Sequence, residues 1–83
     1  MAYVCGAQIE YESGEKIAGS PMYVSDDLAE CVSHNLGLHS SFGYAVYEVD
    51  TARTVRTKST TGMTRGFVTG YPVIGFVGYA FGL

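Results

Sequence analysis

The sequence predicts an α+β fold: a small antiparallel β-sheet of four to six strands with one α-helix packed on one face, in the order ββαβββ. Three observations carry this. Strand-like runs, alternating with period two or dense in aromatic and β-branched residues, lie at both ends of the chain. A single stretch, near residues 26–36, has the spacing of a helix. The composition, 47% hydrophobic and 16% charged, belongs to a chain that folds rather than to a disordered tail. Its 83 residues make room for one domain, 1–83, whose thin core favours help from a partner or from pairing into a homodimer.

From Tyr3 the odd positions Tyr3, Cys5, Ala7, Ile9 and Tyr11 are apolar and the even ones include Gln8, Glu10 and Glu12, so the first strand is expected to have one wet face. Ser13-Gly14-Glu15 is turn chemistry, because Gly14 accepts positive φ, and a short second strand follows through Lys16 and Ile17 until Gly19-Ser20-Pro21 breaks it. Ser25, followed by Asp26 and Asp27, reads as a helix start: the hydroxyl accepts an orphan N–H and the two acids meet the positive end of the dipole. Leu28, Cys31, Val32 and Leu36 then form one apolar stripe, and Gly37 is placed for a left-handed stop, giving a helix over 26–36.

The run Phe42 to Val49 is a third strand, and Thr54 to Lys58 a fourth. A three-residue loop, Thr51-Ala52-Arg53, would oppose Val49 to Val55 and Glu48 to Arg56 in a hairpin. After the polar loop Ser59-Thr60-Thr61-Gly62, the stretch from Phe67 to Leu83 supplies one or two strands interrupted at Gly70-Tyr71-Pro72. Residues 66–83 carry no charge, which touches the lower limit for a membrane helix, but five glycines and a central proline favour buried β-structure, with Val73, Val77, Tyr79, Phe81 and Leu83 on one face.

Charge is segregated along the chain. Residues 1–50 hold all eight acids and only Lys16 as a base, and residues 51–83 hold Arg53, Arg56, Lys58 and Arg65 and no acid. The acids Glu10, Glu12, Glu15, Asp26, Asp27 and Glu30 are therefore the candidate partner-binding set, expected to gather into one negative patch that meets a basic surface on a protein. Arg53, Arg56 and Lys58 form a secondary basic patch, too small a footprint at pI 5.1 for nucleic acid to be the favoured partner.

Residue type and spacing argue against other chemistry. Cys5 and Cys31 with His34 and His39 lack the paired spacing of a zinc site, so no metal or cofactor is expected and both thiols read as buried and reduced. Glu10 and Glu12 share a strand face and could do acid and base work, but on a wet face they read as a charged edge that discourages aggregation. Ser13-Gly14-Glu15-Lys16 lacks the spacing of a phosphate loop. The start of the chain has no basic region leading into an apolar stretch, so a cytoplasmic setting, without a membrane, is expected.

Met22-Tyr23-Val24-Ser25 entering the helix and Tyr44-Ala45-Val46-Tyr47-Glu48-Val49 leaving it resemble the strand-helix-strand unit of small mono-ADP-ribosyltransferases, over about a third of the chain. The nicotinamide-clamping and catalytic residues of that family have no counterpart here, and no site is carried over. By elimination the sequence points to a non-enzymatic interaction protein that binds and inhibits or modulates a larger macromolecule, in the manner of phage-encoded inhibitors of host machinery such as anti-CRISPR proteins. The alternatives are a self-assembling structural or virion component and a small ADP-ribosyltransferase-like enzyme.

Overall fold

In a computed structural model, which describes residues 2–19, 23–36, 44–58 and 66–83, strands β1 (Ala2–Cys5), β2 (Gln8–Glu12), β3 (Glu15–Gly19) and β4 (Tyr23–Ser25) precede helix α1 (Leu28–Leu36). Strands β5 (Ala45–Val49), β6 (Val55–Lys58) and β7 (Phe67–Tyr79) and a 3-10 turn (Ala80–Gly82) follow it. The fold is α+β, one helix and an antiparallel sheet, with the hydrogen-bonded path β2-β3-β7-β5-β1-β4 and β6 added to β7.

The long strand β7 organises the molecule. Its first residues pair with β6, from Lys58 against Phe67 to Val55 against Gly70; its middle pairs with β3, from Gly19 against Gly70 to Ile17 against Pro72; and its last seven residues pair with β5. The hairpin expected between Val49 and Val55 is therefore not formed: β5 and β6 lie end to end along β7, with Val49 opposite Val73 and Val55 opposite Gly70. Thirteen residues of β7 offer both strands more ladder than they could offer each other.

Nor does the strand break at Gly70-Tyr71-Pro72. The carbonyl of Pro72 accepts the Asp50 N–H at 3.0 Å, and since a strand residue points its N–H and C=O toward the same neighbour, the donor that proline lacks faces the gap between β5 and β6. No ladder bond is lost there. Gly70 is needed at this crossing because a Cβ on it would lie 2.2 Å from the Ala18 carbonyl oxygen.

The first strand is cut in two by Gly6, whose φ of 64° lies in the left-handed region. The kink changes which face each parity meets. Before it, Ala2 and Val4 join one core cluster and Cys5 another; after it, the odd residues Ala7 and Ile9 join the cluster of Ala2 and Val4, together with Ala18 and Val49. The second cluster, Cys5, Cys31, Val46 and Ala80, seats α1 on the other face, with Tyr23, Leu28 and Val32 packed around it.

Two extra residues in β7 shift parity again. Ile74 is inserted between the pairs Val49–Val73 and Glu48–Gly75, and Val77 between Tyr47–Phe76 and Val46–Gly78. Val73 and Val77, expected on one face, consequently pack into opposite clusters. Ser13 (φ 51°) and Gly14 (φ 81°) make the two-residue turn that joins β2 to β3, with Glu12 opposite Glu15. Among the described residues no helix is long and apolar enough to cross a membrane, and the uncharged C-terminal stretch is β7 and the 3-10 turn. The expected helix stop at Gly37 and the loop Ser59-Thr60-Thr61-Gly62 lie outside the described residues.

Candidate functional site

The six candidate acids fall into two groups at opposite ends of the strand path, Glu10, Glu12 and Glu15 on β2 and β3 and Asp26, Asp27 and Glu30 beside β4. They do not form one patch. Glu10, expected on a wet face, is 0% exposed, and its carboxylate accepts a hydrogen bond from the Gln8 amide, itself buried. The reason is tertiary. The β2–β3 hairpin curls over until Thr57 on β6 donates to the Glu12 carboxylate, and that closes the face carrying Gln8, Glu10, Ile17 and Val68.

Glu15 forms an ion pair with Arg53 at 2.6 Å, so the acidic and basic halves of the chain meet and neutralise part of each other. Arg53, at half exposure, belongs to that pair rather than to a separate basic patch; Arg56 and Lys58 stay exposed on one face of β6, with the Arg56 guanidinium 4.6 Å from the centre of the Phe67 ring.

At the helix start the cap lies two residues beyond the sequence expectation. The Asp27 carboxylate accepts the Ala29 N–H at 3.0 Å and is the cap, while Ser25 Oγ accepts the Asp27 N–H at 3.0 Å. The reason lies in the chain entering as strand β4, which still holds Ser25 against Tyr3. Glu30 accepts the Tyr23 hydroxyl, and this interaction is the main cause of a raised Tyr23 pKa. The Tyr23 ring stacks on His34 with centroids 3.8 Å apart. Asp26 is exposed.

Beside this acidic start runs an apolar groove of about 600 Å³, lined by Leu28, Ala29, Val32, Ser33, Leu36 and Leu83. Sequence spacing places Leu36 on the buried stripe, but the structure leaves it partly exposed. Cys31 takes the buried position, and Leu36 and Leu83 are left about half exposed. Between residues 23 and 36 the chain holds Asp26, Asp27 and Glu30 and neither lysine nor arginine, so the groove opens beside a surface of one sign. The signal for it in the sequence was Leu83, an apolar residue beyond the last strand, whose approach to α1 only the 3-10 turn creates.

Cys5 and Cys31 are free and fully buried, with the Cys5 thiol donating to the Cys31 carbonyl at 3.4 Å. Burial pushes the Cys31 thiol up to about 12, with the neighbouring Cys5 adding to the effect, and burial also raises Cys5. Among the described residues no three His, Cys, Asp or Glu side chains are grouped to hold a metal ion. Comparison with known families, with curated proteins and with solved structures finds no match.

Proposed function

We propose that the chain is a non-enzymatic interaction protein that seats a segment of a larger protein in the groove beside α1 and occludes or organises that partner by binding it. The partner segment carries apolar side chains for the groove and basic residues for the acids at its head. The observation that supports this reading is the coincidence of an open apolar groove with a helical unit that has acids and no lysine or arginine. Apolar contact supplies the affinity there, and the charge speeds and orients association.

Capture from an extract of the native cells tests it, with wild type compared against a Leu36→Asp, Leu83→Asp double variant. Both residues are about half exposed, so the double variant should melt within a few degrees of wild type and lose the captured partner. Asp26→Lys should slow association several-fold at low salt and flatten its salt dependence, with little change in dissociation. Undiminished capture by a folded double variant would overturn the reading.

A further inference from the structure

A second surface, turned away from α1, is built from aromatic rings. Tyr47 on β5 and Phe76 on β7 meet edge to face with centroids 5.6 Å apart, and Phe76 and Tyr79 meet in the same way at 5.2 Å. Tyr11 on β2 pairs across the hairpin with Lys16, whose ammonium lies 5.7 Å from the centre of the Tyr47 ring. Phe76, Tyr79 and Tyr11 are 52%, 63% and 59% exposed, far more than rings serving only the core. The Tyr47 pKa is raised by burial and then by the phenols of Tyr79 and Tyr11.

We propose that this face docks a proline-rich segment in the polyproline II conformation, which lays its pyrrolidine rings on Tyr47, Phe76 and Tyr79 and gives its backbone carbonyls to the tyrosine hydroxyls. Polyproline II has no internal hydrogen bonds, so its carbonyls need donors, and its stiffness removes most of the ordering cost of docking. Its faces repeat every ~9 Å, three residues at about 3.1 Å each. The Tyr47 and Tyr79 rings, joined through Phe76, are at most about 11 Å apart, so the pair spans no more than one such repeat. A tyrosine hydroxyl can donate such a bond.

Other occupants fit less well. Nucleic acid needs several cations, and among the described residues the cation placed over these rings is Lys16, on a hairpin that also carries Glu12 and Glu15. For a second copy of the chain, three aromatic side chains of roughly 150–250 Å² each, a little over half exposed, present roughly 250–450 Å², below the ~800 Å² per partner of a stable pair. A short peptide needs no more.

The test uses the full chain, whose emission, without tryptophan, comes from seven tyrosines that include Tyr11, Tyr47 and Tyr79 of this face. A ten-residue L-proline peptide should change that emission saturably, with Kd in the range of about 10–500 μM. Phe76→Ala and Tyr79→Ala should each weaken binding at least about tenfold, Tyr79→Phe should weaken it about threefold, and melting should stay near wild type for all three, because these side chains are already half solvated. The Leu36→Asp, Leu83→Asp variant should bind the peptide like wild type, so loss of the groove function and loss of this one are separable. No saturable response from the folded wild-type chain would overturn the proposal, as would equal binding of the mirror-image D-proline peptide. Tighter binding to oligothymidylate, or dimerisation that Tyr79→Ala abolishes, would overturn it in favour of nucleic acid or of a second copy.

Discussion

Burial holds both thiols in the neutral form, and that has a measurable consequence. Cys31 keeps its proton in the folded chain until about pH 12, whereas in the unfolded chain it ionises near 9.0, so the stability that the neutral thiol contributes is intact below pH 9 and is lost as pH rises from 9 toward 12. Cys31→Ala should cost about 1 kcal/mol at pH 7 and then lose less of its remaining stability than wild type above pH 9, as read by denaturant midpoints. A thiol reagent at pH 8 should label neither cysteine until the chain is unfolded. Glu10 behaves differently from Glu12 for the same physical reason. Glu10→Lys introduces a cation where nothing is exposed and should destabilise by more than about 3 kcal/mol, while Glu12→Lys, on an exposed residue, should lose only the Thr57 contact, about 1 kcal/mol.

Among the elements, β7 carries most of the fold, since β3, β5 and β6 all hydrogen-bond to it. Truncation after Thr69 removes every β7 residue that pairs with β3 or β5, together with Val73, Val77 and Ala80 from the two clusters, and the shortened chain should show no cooperative melting. Glycines along β7 separate by what surrounds them. Gly70→Ala drives a Cβ into backbone at 2.2 Å and should cost about 2–3 kcal/mol, whereas Gly75→Ala meets nothing within 4 Å and should melt like wild type. The helix, nine residues long, is too short to persist alone and depends on the cluster around Cys31 and Val46.

For the whole molecule, charge segregation along the chain becomes partial cancellation in space. Glu15 and Arg53 sit 38 residues apart in sequence and 2.6 Å apart in the fold, and Glu12 and Thr57 meet by the same curl of β2 toward β6. Acids remain at the start of α1, next to the apolar groove, cations remain on β6 at Arg56 and Lys58, and the tyrosine face carries the Lys16 ammonium over Tyr47. Arg53→Ala frees one exposed pair and should shift stability by less than about 1 kcal/mol, less still in high salt, a change that melting at two ionic strengths would resolve.

Local chemistry was legible from the sequence alone. Alternation and β-branching marked the strands, Ser13-Gly14 marked the turn, the spacing of Leu28, Cys31 and Val32 marked the helix, and an 18-residue uncharged run with glycines and proline read as β-structure rather than a membrane helix. Each of these depends on neighbours within a few residues. Tertiary structure decided which face every strand buries, because Gly6, Ile74 and Val77 each shift the parity of the residues after them, and a pattern of period two has no memory of a kink. The burial of Glu10, the collinear pairing of β5 and β6 on β7, and the assembly of Tyr11, Tyr47, Phe76 and Tyr79 on one surface all arise from partners dozens of residues away. Long-range pairing sets them, and no local signal encodes which strand a given strand will meet.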